Sequence, residues 1–170
     1  NGIGGAINFV LKKPDRPKGS FSAAGGNNAT HEENLDMTYA FLKSKNRLSI
    51  SDSQSNGTRY DTGYRTDTFF HSTALEGDNS SLYVDLGYNN KEFGAFDYYT
   101  PGRGFPSKEW INTMFVDVRS ILKNENFTFE PRLNFREHHD KFMLSITNPN
   151  LFLSHHTTDT YQAGGRLSHI

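Results

Sequence analysis

The sequence predicts an all-β chain, the antiparallel wall of a transmembrane β-barrel with about eight strands, for three reasons. Apolar residues recur with a period of two along most of the chain, and helical periodicity is almost missing. Only 34% of the residues are hydrophobic and the mean hydropathy is -0.70, thin for a packed interior. A membrane barrel tolerates this, because one strand face meets lipid and the other a wet lumen. Lastly, tight polar turns alternate with long connections, as they do where short periplasmic turns oppose external loops.

Strands are expected near 18–27, 33–43, 46–56, 66–77, 80–93, 112–123, 126–138 and 157–169. In the second, Leu35, Met37, Tyr39 and Phe41 alternate with Asp36, Thr38 and Ala40. In the fifth, Leu82, Val84, Leu86 and Tyr88 oppose Tyr83, Asp85, Gly87 and Asn89, and in the sixth Met114, Val116 and Val118 oppose Phe115, Asp117 and Arg119. The seventh has the clearest alternation, with Phe127, Phe129, Pro131, Leu133 and Phe135 on one side and Thr128, Glu130, Arg132, Asn134 and Arg136 on the other. The last sets Tyr161, Ala163, Gly165 and Leu167 against Gln162, Gly164, Arg166 and Ser168. Pro131 removes a ladder donor in mid-strand, so a bulge is expected there. Lys43–Asn46, Gly77–Ser80 and Lys123–Asn126 are rich in residues that accept turn dihedrals. The long connections are 57–65, 94–111 and 139–156, and short and long are expected to alternate strictly.

No run of eighteen apolar residues exists, so no helix is expected to span a membrane. The chain begins with Asn and shows no basic-then-apolar leader, and its start is expected to be internal to a longer protein. A net charge of -1 gives no reason to expect nucleic acid. With no cysteine, the segment has neither a disulfide framework nor a thiolate metal site. Phe and Tyr, 14 and 8 residues against 1 Trp, suit pleated strands and interfacial girdles.

Residues 1–14 read as a glycine-rich turn, a short apolar strand and a stop at Pro14. This stretch resembles the end of the plug domain in TonB-dependent receptors. There Gly-x-Gly-Gly, a small residue, Ile and Asn lead through an apolar strand and a basic-basic-Pro exit into the first barrel strand. The matching residues are Gly2, Gly4, Gly5, Ala6, Ile7, Asn8, Lys12, Lys13 and Pro14. A second stretch, Glu92-Phe93-Gly94-Ala95-Phe96-Asp97-Tyr98-Tyr99-Thr100-Pro101-Gly102 continuing to Trp110, resembles the third external loop of receptors related to the cobalamin transporters. The resemblance implies that 1–14 is the C-terminal end of a plug and 15–170 the N-terminal part of a barrel. That barrel would have about 22 strands, of which eight are about a third. It implies residence in the outer membrane of a Gram-negative bacterium, with outer-membrane lipid around the barrel. Active uptake would be of cobalamin, another corrinoid or a ferric siderophore, with the TonB complex as partner through a region N-terminal to this chain.

Ligand contacts are expected on the long connections, from Arg59, Tyr60, Tyr64, Asp97, Tyr98, Tyr99, Arg103 and Trp110. Aromatics give contact area at low entropic cost, and Arg stacks or binds carboxylates. The competing expectation is that Tyr98, Tyr99 and Trp110 are girdle residues facing lipid head groups. His138-His139 and His155-His156 bracket the last long connection. Neighbours on a strand point to opposite faces, so each pair offers one ring to a shared site, His139 and His155 being the candidates. Solvated histidines without metal are the expectation. Glu130, Arg132, Arg136, Asp117 and Arg119 either form a lumenal charge ladder or a simple hydrated wall.

No cofactor and no catalysis are expected. Gly2-x-Gly-Gly lacks the helix and third-glycine spacing of a nucleotide loop, and neither Gly-x-Ser-x-Gly nor His-Glu-x-x-His occurs. Ser154 and His155 are adjacent and so fall on opposite faces. The alternative functional class is a complete eight-stranded outer-membrane barrel acting as an adhesin or structural anchor.

Overall fold

A computed structural model describes residues 16–169, so the plug-like motif carried by Gly2, Gly4, Gly5 and Asn8 lies outside the described residues. The described chain is one antiparallel eight-stranded sheet in sequential order: β1 (Lys18–Gly26), β2 (Thr30–Phe41), β3 (Ser44–Ser55), β4 (Tyr64–Glu76), β5 (Ser80–Gly94), β6 (Lys108–Lys123), β7 (Phe127–Met143) and β8 (Leu153–His169). β1 and β8 are not bonded to each other, so the sheet is open. It is a single layer, and Ala74, Tyr83 and Ala95 are its buried hydrophobic residues among those described.

The register gathers the apolar residues onto one face. Phe21, Leu35, Ile50, Phe69, Tyr88 and Met114 are successive partners across β1 to β6. The next same-face row toward the short turns runs Met37, Leu48, His71, Leu86, Val116, Phe135 and Tyr161 across β2 to β8. A one-residue slip of any strand would turn its apolar set to the other face, so the pattern fixes the pairing. The polar groups inside this band satisfy one another: Tyr39 Oη lies 3.2 Å from His71 Nε2, and Thr73 Oγ1 donates to buried Asn46 Oδ1 at 2.9 Å.

The opposite face is polar and internally paired. Arg47 Nη2 meets Asp36 Oδ2 at 2.6 Å, Arg132 Nε meets Asp117 Oδ2 at 2.7 Å, and the Arg119 guanidinium lies 4.6 Å from the Tyr83 ring centroid. Asp117 and Arg132, two of the expected ladder residues, therefore bond side by side across β6 and β7. Half-solvated pairs of this kind contribute about 1 kcal/mol or less each. They organise the surface more than they stabilise it.

Three expectations need correction. Pro131 causes no bulge: the β6–β7 register is the same on both sides of it, and only the pairs between 120–121 and 130–131 are missing from the ladder. On the other side Pro131 still opposes Gly165. The rigid ring is absorbed by leaving bonds unmade rather than by inserting a residue. The strict alternation of short and long connections also fails once, because a tight 27–29 turn, closed by Thr30 N donating to Asn27 O at 3.1 Å, lies at the long-loop end. Finally, β6, β7 and β8 reach four or five residues further toward that end than the pattern indicated. The long loops shrink to 56–63, 95–107 and 144–152. There the apolar-band face becomes polar, with Glu33, Asp52, Asp67, Asn90, Asn112, His139 and Thr157 in one row. The ladder continues, but the alternation that announces it stops.

Candidate functional site

The three long loops meet at one end of the sheet. In the first, 56–63, Thr62 Oγ1 donates to Arg59 O at 2.8 Å and accepts from Arg59 N at 3.2 Å, which closes a tight turn. Asp61 has φ 50° and offers its carbonyl to Phe96 N at 3.2 Å, while Gly63 O accepts from Gly94 N at 2.8 Å. A Cβ on Gly94 would lie 2.4 Å from Asp61 O, so only glycine lets this loop seat on β5. The second loop, 95–107, is closed by Ala95 N to Ser107 O at 2.7 Å. Fully buried Ser107 then donates its hydroxyl to Leu144 O at 3.0 Å, and Ile146 N donates to Pro106 O at 2.9 Å, which ties in the third loop. The loops thus form one bonded cap.

Within this cap the expected contact residues separate by role. Asp97 has φ 57° and accepts from the backbone N–H groups of Gly102, Arg103 and Gly104 at 2.7, 2.9 and 2.9 Å. These three donors hold its carboxyl below the usual carboxylate range. Its charge is spent on shaping the loop. Tyr99 hydrogen-bonds the Glu109 carboxylate and sets its ring edge-on to Phe142 at 4.9 Å. Burial first, and Glu109 second, push its phenol up to about 12. Glu109 and Phe142 are register partners on the polar face, so the second loop leans over that face. Tyr64 also lies on the polar side, its hydroxyl 3.3 Å from Ser53 Oγ.

Tyr60 and Tyr98 stay 61% and 74% exposed, propped edge-on against Phe96 and Tyr99 at 5.4 and 5.0 Å. Arg59 and Arg103 are exposed beside them in sequence. Trp110 is separated from this group: it projects from the apolar-band face of β6, where its Nε1 donates to Glu92 Oε2 at 3.0 Å. No protein-family model, no curated protein and no solved structure matches the chain.

The sequence also offers Asp61, on the first loop beside Tyr60, as a ligand contact. One of its carboxylate oxygens is buried with no protein partner, and burial raises its carboxyl above the usual range, against the pull of Lys108. It borders a groove of about 400 Å³ with Gln54, Arg65, Glu92 and Lys108, beneath the first two loops. Position in a loop gave no signal of this burial.

The histidines divide between faces. His139 lies on the apolar-band side, 2.5 Å from Glu137 Oε1 and 2.9 Å from Thr157 Oγ1, and His155 sits diagonally from it, opposite Lys141. Among the described residues no group of three or more His, Cys, Asp or Glu could hold a metal ion. On the polar face Ser154 Oγ lies 3.3 and 3.4 Å from the two ring nitrogens of His156, and Asp140 opposes His156 in register. A hydroxyl equidistant from both nitrogens is aligned with neither, and Asp140 makes no bond to the ring. The geometry is not that of a nucleophile and its base.

Proposed function

We propose that this chain is part of the barrel wall of a TonB-dependent receptor in the outer membrane of a Gram-negative bacterium, importing a scarce ligand. The observation that carries the reading is the polarity of the sheet: one face bears a continuous apolar band, and the other is polar and is overhung at one end by the second of the bonded long loops. On β7 the band runs from Phe127 to Phe135, a rise of roughly 26 Å at about 3.3 Å per residue. Tilted by about 40° it spans roughly 20 Å, close to the ~25 Å apolar belt of outer-membrane barrels. The unpaired edges of β1 and β8 favour a segment of a larger wall over a closed eight-stranded adhesin or anchor. The plug-like residues at the start of the chain agree with this, and the TonB complex would act through a region N-terminal to it.

The ligand classes are corrinoids and ferric siderophores. Loop charge favours a ferric chelate with anionic arms. The loop charges left exposed are Arg59 and Arg103, whereas Asp97 is occupied by three amides and Asp61 is half-buried with one carboxylate oxygen enclosed. Tyr60 and Tyr98 supply flat contact area beside them. The test is to titrate the full-length receptor with cyanocobalamin and with a panel of anionic and cationic ferric chelates. Saturable binding of an anionic chelate, weakened about tenfold in an Arg59→Ala/Arg103→Ala variant, is expected. No saturable binding by any of these compounds contradicts the import function.

A further inference from the structure

The apolar-band face carries a second feature, above the band on β6 and β7. The Trp110 ring lies between two ammonium groups, Lys108 Nζ at 5.2 Å and Lys141 Nζ at 4.8 Å from its centroid. Asn112, His139 and His155 join Trp110 and Lys141 around a depression of about 170 Å³. Asp140 also borders the depression and has one carboxylate oxygen buried without a partner, but its register opposite Ile111 sets its side chain on the polar face, and the carboxylates of the band face are largely engaged. Glu92 receives Trp110 Nε1 and pairs with Lys108 at 3.5 Å, and Glu137 pairs with His139 at 2.5 Å. Asp159 opposes Glu137, four residues along β8 from His155, a separation of roughly 13 Å. Among the described residues Lys141 makes no ion pair, so its charge is the one left for a partner.

We infer that this surface binds the phosphate of an anionic lipid head group, seated against Trp110 and Lys141 at the outer edge of the apolar band. The inference rests on the reading that the band meets lipid. An indole is amphipathic and settles at the level of head groups, and a basic group there attracts lipid phosphate. Below the depression, the polar row of Asn112 and His139 gives way to Met114 and then to Val116 and Phe135, roughly 20 Å along the strands from Trp110 and Lys141, a reach that acyl chains of a lipid can cover while its phosphate meets the ammonium group. This separates Trp110 from ligand import and gives it a lipid partner.

The test uses the full-length receptor in dodecyl maltoside, with retained lipid counted by native mass spectrometry. The probes are short-chain phosphatidylglycerol, short-chain phosphatidylcholine and inorganic phosphate. Wild type is expected to prefer phosphatidylglycerol over phosphatidylcholine, and Lys141→Gln to lower that preference about fivefold. Lys43→Gln, in the turn at the other end of the sheet, should leave it unchanged. A Lys141→Gln preference equal to wild type overturns the lipid site while leaving the membrane reading intact. Inorganic phosphate that displaces the lipid at equal concentration overturns the lipid assignment as well. Wild type that retains neither lipid overturns the membrane reading itself.

Discussion

Replacing Leu133 by Arg places a guanidinium in the middle of the apolar band. Leu133 is 60% exposed in the sheet, between Val118 on β6 and Ala163 on β8. If water covered that face, such a change would be nearly neutral, because surface substitutions typically stay within about 0.5 kcal/mol. If lipid covers it, the cost depends on depth. Leu133 lies two residues from Pro131, the midpoint of the Phe127–Phe135 band, so it sits roughly 5 Å from the centre after tilt. Arg near the midplane costs about 2–4 kcal/mol and falls off toward the interfaces, which puts Leu133→Arg at about 2–3 kcal/mol. The matched control is Gln162→Arg, on the polar face of β8 opposite Asn134, where the cost should stay below about 0.5 kcal/mol. The assay is urea unfolding of the full-length protein refolded into phosphatidylcholine vesicles, followed by tryptophan fluorescence. A Leu133→Arg variant as stable as wild type, or a Gln162→Arg variant that is the worse of the two, would refute the facial assignment.

Other consequences follow from single contacts. Gly87 lies beneath the Phe115 ring, with the Cβ of any larger residue 2.0 Å from Phe115 Cε1, so Gly87→Ala should cost about 1–3 kcal/mol in the same unfolding assay and be partly rescued by Phe115→Leu. The Tyr99 phenol is raised from 10.0 to about 12, so the neutral, bonded form is favoured in the folded state. Its contribution is complete below pH about 10 and lost as pH rises toward about 12, and the protection of 95–107 relative to intrinsic amide exchange should fall over that window in wild type but not in Tyr99→Phe. Asp97 shifts the other way, so its clamp holds above its ordinary value of 3.8 and fails as pH falls through its lower folded value. Protection of the Gly102, Arg103 and Gly104 amides relative to intrinsic exchange should fall in acid, and in Asp97→Ala it should already be lost at neutral pH.

The sheet was legible in the sequence wherever its two faces meet different surroundings. Leu82 to Tyr88 and Phe127 to Phe135 announce themselves because one side is apolar and the other polar. The long-loop ends of β7 and β8 did not, because Glu137, His139, Lys141 and His155 make the apolar-band face as polar as the opposite one, and period-two contrast is lost while the hydrogen bonds persist. Chain distance misled at the loops for a similar reason. Asp97 and Arg103 look like equivalent polar contacts, yet only the fold shows that the first is enclosed by backbone amides closing the loop. Trp110 shares the expectation of Tyr98 and Tyr99 in the sequence, but its place in β6 turns it to the other face of the sheet. Adjacency sets Ser154 and His155 on opposite faces, and the same alternation brings Ser154 beside His156.

The most direct test of the central claim, that one face of this sheet lies against lipid, is an accessibility scan along β7. The segment has no cysteine of its own. Single cysteines at each position from 127 to 135 of the full-length protein would carry spin labels in outer-membrane vesicles, with collision rates measured for oxygen and for a water-soluble nickel chelate. The account predicts a two-residue oscillation, with oxygen favoured at 127, 129, 131, 133 and 135 and nickel at 128, 130, 132 and 134. Uniform nickel access along the strand, or an oscillation of opposite phase, would contradict it.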